Sequence, residues 1–245
     1  MNPTEAALLV GGGLLAGIVN TLAGGGSMLT VPLLVLVGLP GSVANGTNRV
    51  GIVLQSGVAA WRFRAQGISG ASDAVRVLVP VGAGALIGAW WIAQLADATF
   101  ERVFGLAMVL LLLPTLRPPG PRTGDPRRWS STTSFLVFFA IGVYGGALQA
   151  GVGLVLVAAL SRAGFDLVRA NSIKVVVILA LTLVAVPVFV AAGQVAWLPA
   201  GVLALGFAAG GEIGARLAVR GGERLIRPVL VLAVLALAGR MLGLY

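Results

Sequence analysis

The sequence predicts an all-α integral membrane protein built from two inverted repeats of about 126 residues, each a glycine-broken re-entrant hairpin plus three transmembrane helices. Three observations carry that prediction. The 245-residue chain is 58% hydrophobic and 10% charged, with a mean hydropathy of +1.01, whereas a soluble domain carries about a quarter charged residues. Apolar runs of roughly 20 residues, enough for a helix across a ~30 Å core, recur from end to end. The alternation of an outer-membrane barrel is absent. Finally, one half of the chain lies over the other with opposite loop charge.

The first segment, 5–38, is broken by Gly24, Gly25 and Gly26 and turns at Gly38-Leu39-Pro40. Its second arm, 27–38, is roughly 12 residues, or ~18 Å at 1.5 Å per residue. That is short for a span, so the segment reads as a hairpin with its tip inside the bilayer; the rival is one long kinked helix. Segments 42–61, 74–95 and 100–116 complete the first repeat, 1–116. The linker 117–130, RPPGPRTGDPRRWS, is too rich in Pro and Arg to span. The second repeat, 131–245, reads as a broken segment 132–162 followed by 168–191, 198–218 and 227–244.

A single shift of about 126 residues aligns three separate features. Gly38, Ala44 and Asn45 fall on Gly164, Ala170 and Asn171. Gly25 falls on Gly151. Gly84, Ile87, Gly88 and Ala89 fall on Gly210, Ile213, Gly214 and Ala215.

Positive charge marks the cytoplasmic side. Linker 117–130 carries Arg117, Arg122, Arg127 and Arg128 against Asp125, and loop 62–76 carries Arg62, Arg64 and Arg76 against Asp73. Both are expected inside. The counterpart of the second, 192–196, is uncharged and expected outside. The third loop of the first half, with Asp97, Glu101 and Arg102, is net negative. Its counterpart carries Arg216, Arg220, Arg224 and Arg227 against Glu223. Opposite loop charge means inversion, and inversion needs an odd number of crossings per half, which the hairpin supplies. Trp61, Trp129 and Trp197 at segment ends, and Trp90 and Trp91 near one, suit interfacial positions.

The net charge of +9 would suggest nucleic acid in a soluble protein. Here most arginines flank apolar spans, so the expected partners are the lipid bilayer and a small substrate, not nucleic acid. Cys and His are both absent, which excludes disulfides and thiolate or imidazole chemistry. No P-loop, paired-carboxylate site or metal cluster appears, so no cofactor, metal or catalytic residue is assigned. The N-terminus, MNPTEAALLV, lacks the basic start of a cleavable signal, and the first apolar segment is expected to be retained.

The candidate site lies at the glycine breaks. Gly24, Gly25 and Gly26, followed by a helix starting near Ser27, would expose backbone N–H groups and the positive end of a helix dipole. Gln149, Gly151 and Gly153 would do likewise in the other half. The alternative is that these glycines only allow close packing. Asn45, Thr47, Asn48 and Arg49 beside one break match Asn171, Ser172 and Lys174 beside the other, with Asn20, Gln55 and Tyr144 as further polar candidates. A cation inside a span needs a partner or a cavity; otherwise Arg49 and Lys174 snorkel to the interface. Glu212 reads either as a helical ion pair with Arg216, four residues on, or as a proton relay.

These residues carry a family resemblance. The stretch A-G-x-x-N-T-L-A-G-G-G-S at 16–27, G-L-P at 38–40 and G-T-N-R at 46–49 resembles the sulfite exporter TauE/SafE family, as do Tyr144-Gly145-Gly146, G-F-D at 164–166 and A-N-S-I-K at 170–174. The resemblance implies a multi-pass transporter of the bacterial-type inner membrane for small anions such as sulfur oxyanions or organosulfonates. The family often has an acidic residue where Asn20 stands, which puts proton coupling there in doubt. The resulting expectation is a secondary transporter working by alternating access, with the anion held between two broken helix tips. The alternative is a passive anion channel, and a membrane-embedded enzyme is a distant third. A homodimer is compatible with this reading.

Overall fold

The computed structural model describes residues 1–116 and 130–219. The expectations for linker residues 117–129, for Trp129, and for the last segment with Arg220, Glu223, Arg224 and Arg227 lie outside the described residues.

The described chain is helical, with no strand. The first broken segment is α1 (Pro3–Leu22) and α2 (Ser27–Leu36); α3 (Gly41–Ala65), α4 (Ala71–Ile92) and α5 (Asp97–Leu116) follow. The second break separates α6 (Ser131–Ala147) from α7 (Val152–Arg162), and α8 (Leu167–Ala191) and α9 (Trp197–Val219) follow. The start of α1 is set by a capping box: the Glu5 N–H donates to Asn2 Oδ1 at 2.8 Å and the Asn2 N–H to Glu5 Oε2 at 2.9 Å. The short arms α2 and α7 have 10 and 11 residues. Each turns out of its helix through a glycine of positive φ, Gly38 at 95° and Gly164 at 96°, a conformation that costs other residues strain.

Among the described residues four helices, α1, α4, α8 and α9, are long and apolar enough to cross a membrane. Helix α3, at 25 residues, is longer than a span requires. What lowers its apolarity, besides Arg62 and Arg64 at its end, is a set of polar residues, Ser42, Asn45, Thr47, Asn48, Arg49, Gln55 and Ser56, all buried. Polar residues turned into protein rather than lipid are where an intramembrane site belongs. Trp61, Trp90, Trp91 and Trp197 are exposed.

Packing partners come in matched pairs under the 126-residue shift. Helix α1 packs on α9 as α6 packs on α4, and α3 packs on α9 as α8 packs on α4; α3 and α8 pack on each other. Close approach at the first pair uses small residues. Gly210 sits against Gly17 and the Leu14 carbonyl, and its counterpart Gly84 sits against Val143, which aligns with Gly17.

Equivalent loops take opposite ends of α3. The loop 66–70 leaves its C-terminal end. The corresponding loop 192–196 packs near its N-terminal end, where Gly46 faces the Gln194 carbonyl and the Ala196 N–H donates to Thr47 Oγ1 at 2.9 Å. In the same way loop 66–70 packs on α8: Gly70 faces the Ile173 backbone and Ser172 Oγ donates to the Ile68 carbonyl at 3.4 Å.

Candidate functional site

The two breaks touch. Gly24, at φ +89°, lies against the Gly153 backbone so closely that a Cβ on either residue would overlap the other's Cα. Helices α2 and α7 start at these breaks, at Ser27 and Val152. Each therefore brings an N-terminal end, the positive end of its dipole, into the interior, where its first N–H groups are taken up by local turns: the Met28 N–H donates to the Gly25 carbonyl at 3.0 Å and the Leu154 N–H to the Gly151 carbonyl at 2.9 Å. Gly24, Gly25, Gly26 and Ser27 are all buried, as are Gln149, Gly151 and Gly153.

Around the first break the side chains form one network. Asn20 Nδ2 donates to Gln55 Oε1 at 2.6 Å, Gln55 Nε2 donates to Thr21 Oγ1 at 2.7 Å, and the Gly26 N–H donates to Asn20 Oδ1 at 3.4 Å. Asn48 Nδ2 donates to Ser27 Oγ at 3.2 Å, and Thr30 Oγ1 donates to Asn48 Oδ1 at 2.5 Å. Into this network reaches Lys174 from α8, fully buried. Its Nζ donates to the Asn20 carbonyl at 3.1 Å, the Thr21 carbonyl at 2.7 Å and Asn171 Oδ1 at 2.7 Å.

Around the second break the pattern recurs with Arg49 from α3, also fully buried. Its Nη1 donates to the Gly145 carbonyl at 3.1 Å and to Gln149 Oε1 at 3.0 Å. Its Nη2 donates to the carbonyls of Gly146 at 2.6 Å and Ala147 at 2.9 Å. Phe189 lies beneath the guanidinium, 4.5 Å from its carbon to the ring centre. Asn45 Nδ2 donates to the Ala147 carbonyl at 2.9 Å, Gln149 Nε2 donates to Thr182 Oγ1 at 2.7 Å, and the Tyr144 hydroxyl donates to the Ala150 carbonyl. Two buried atoms here have no hydrogen-bond partner: Asn45 Oδ1 and Arg49 Nε.

Neither cation snorkels; both are withdrawn from the surface. The sequence places Lys174 beside the second break, whereas its ammonium binds at the first, on the carbonyls of Asn20 and Thr21. Its stem does pass Gly153, whose added Cβ would lie 3.1 Å from Lys174 Cδ. The ammonium itself engages the carbonyl end of α1, the negative end of a helix.

The structure brings together Asn20, the glycines, Ser27, Asn48, Asn171 and Lys174 at one break, and Asn45, Arg49 and Gln149 at the other. Thr47 and Ser172 stand apart, bonding to the loops 192–196 and 66–70 instead. Thr21, Thr30, Thr182 and Phe189 join the networks without having been singled out in the sequence. Thr182 carried a usable signal, since it lies eight residues after Lys174 on the same helical face. Glu212 forms the ion pair with Arg216, 2.6 Å from its Nη2, and also lies 3.4 Å from Arg62 Nε on α3. All three are partly exposed, and a pair of this kind is worth little alone.

Comparison with known proteins agrees with the architecture. The family model "Sulfite exporter TauE/SafE" matches residues 9–241. A "probable membrane transporter protein ORF9" of Sinorhizobium sp is 27% identical over 234 residues, covering 94% of this chain and 89% of the relative. A "probable membrane transporter protein" of Haemophilus influenzae is 27% identical over 238 residues, covering 94% and 91%. The "probable membrane transporter protein YfcA" of Escherichia coli K12 is 23% identical over 235 residues, covering 94% and 86%. No solved structure gives a significant match. With its buried polar helix, its apolar spans and a family match over nearly the whole chain, this multi-pass membrane transporter belongs to the sulfite exporter TauE/SafE family.

Proposed function

We propose that the protein is a secondary transporter of a small anion, a sulfur oxyanion or organosulfonate, in a bacterial-type inner membrane. The anion is held between the two glycine-broken tips, and access alternates between the two sides. The observation that carries this reading is the meeting of Gly24 and Gly153, each opening a helix N-terminus inside the protein with a buried cation beside it. Helix N-termini suit an oxyanion, and N-terminal half-helices facing a midplane site are a transporter arrangement.

The inverted arrangement of 1–116 and 131–245 rests on the matched packing pairs, on equivalent loops at opposite ends of α3, and on opposite loop charge. In the described conformation the tips leave no space between Gly24 and Gly153, so the anion enters by parting them. Two closed tips favour alternating access over a passive channel, which needs a continuous polar path. The sulfur class comes from the family's name, and sulfite, sulfate and a short alkanesulfonate are the first anions to try.

The test is thermal unfolding of purified protein across those anions, followed by counterflow in proteoliposomes. An anion at about a hundred times its Kd contributes ~2.7 kcal/mol, which raises the midpoint by roughly 5–10 °C for a chain of this size. Stabilisation by a sulfur oxyanion and trans-stimulated uptake are expected. Uptake without trans-stimulation would make the protein a channel, and indifference to every anion would remove the anion reading.

A further inference from the structure

A helix that ends inside a membrane protein leaves its last carbonyls without partners at the negative end of its dipole. Helices α1 and α6 both end this way, at Leu22 and Ala147. In transporters built from broken helices, such C-terminal ends and their unwound carbonyls are where a mobile sodium ion or proton is coordinated. Here both ends are already filled, and each is filled from the other half of the chain. Lys174 holds the carbonyls of Asn20 and Thr21; Arg49 holds those of Gly145, Gly146 and Ala147. Under the 126-residue shift, Asn20 and Thr21 align with Gly146 and Ala147. The two cations thus perform the same act at equivalent places, although they sit one residue out of step in their own helices.

The cage around Arg49 is made of neutral oxygens, three carbonyls and Gln149 Oε1, with the Phe189 ring as a further face. Among the described residues Arg49 forms no ion pair. A cation held by carbonyls and a ring is stabilised without losing its net charge, so it still offsets an anion nearby. A carboxylate partner would have cancelled it.

We propose that Arg49 and Lys174 are built-in counter-cations, each occupying the carbonyl end of a broken helix where a mobile sodium ion would otherwise bind, so that anion transport by this protein needs no coupling sodium. The proposal rests on the anion-transport reading above. It accounts for why an arginine and the chain's one lysine are buried side by side with helix ends in a protein whose other cations flank its spans.

Two measurements test it. In proteoliposomes of the wild type, uptake of the anion found by thermal shift is compared with sodium or choline as the external cation. The two rates are expected to agree within about twofold, whereas coupled ligands change each other's binding by roughly fivefold or more. Stimulation by sodium on that scale overturns the proposal. The second measurement needs no anion: the unfolding midpoint of Arg49→Ala is followed with added methylguanidinium. Losing the cation is expected to lower the midpoint by about 10 °C, and millimolar methylguanidinium is expected to restore more than half of that while leaving the wild type unmoved. An equal response of variant and wild type overturns it. Should Arg49→Ala fail to fold, Arg49→Lys is compared with Arg49→Gln: the charged variant must be the more stable, and the reverse order overturns the proposal. A wild type that takes up no anion in either salt sinks the transport reading, and the methylguanidinium result then still decides the cation site.

Discussion

Gly24 and Gly153 meet backbone to backbone, one from each half of the chain, and a single methyl group on either would collide with the other. That contact makes the two glycine breaks one structure. A tip that closes this tightly against another tip leaves no room for a side chain.

The first prediction follows from that contact. Gly153 lies in the first turn of α7, so Gly153→Ala adds volume at the tip contact. Overpacking of this kind costs about 1–3 kcal/mol, or a midpoint lower by roughly 2–12 °C. Transport is expected to fall at least tenfold, because the closed state is lost first. Gly57→Ala on α3 is the control, since its added Cβ meets nothing within 4 Å. Tracer uptake by both variants, reconstituted at matched density, checks this. Equal uptake would return the glycines to ordinary packing.

Much of this was legible in the sequence because the punctuation is strong. Gly38, Pro40, Gly164 and the two breaks each fall at a helix boundary, whereas the run Gly11-Gly12-Gly13 continues inside α1; the starts and ends of the described helices fall within a few residues of the expectation. A charge in mid-segment singles out Arg49 and Lys174, but leaves burial and snorkelling both open until the packing is known. What a repeat cannot reveal is which half an element serves. Alignment of Asn45 with Asn171 says that the two positions are equivalent, but not that each helix reaches across to the other half's broken end. Sequence position alone puts the lysine beside the second break, whereas its ammonium sits on the C-terminal carbonyls of α1. Thr47 and Ser172 were grouped with the site for the same reason, although their hydroxyls face the returning loops.

The second prediction concerns sidedness. Helix α3 is about 37 Å long at 1.5 Å per residue, so loops at its two ends lie on opposite faces of a bilayer. The chain has no cysteine, and single cysteines can be introduced directly. Ala192 and Ala98 are exposed on the expected outer side, and Arg64 is exposed on the inner. An impermeant maleimide applied to whole cells is expected to modify Ala192→Cys and Ala98→Cys at once, and Arg64→Cys only after permeabilisation. Labelling of Ala192→Cys and Arg64→Cys from the same side would end the inverted-repeat reading.

The third prediction concerns Gln149, the one residue other than glycine that has positive φ among those described, at 57°. Just after a helix end this position normally belongs to glycine, and an L-residue there carries about 1–2 kcal/mol of strain. The glutamine is kept in place by its side chain, which accepts from Arg49 and donates to Thr182. Two variants separate strain from function. Gln149→Ala keeps the strain and loses both hydrogen bonds; Gln149→Gly loses the bonds but relaxes the backbone. Gln149→Gly is therefore expected to be the more stable of the two by about 1 kcal/mol, or roughly 2–4 °C in midpoint. Both should lose transport at least tenfold, because Arg49 is no longer steered beside the tip. Differential scanning fluorimetry with uptake on the same preparations decides it. Equal midpoints would mean that the glutamine is not strained, and wild-type uptake by Gln149→Gly would mean that Arg49 needs no steering from this side chain.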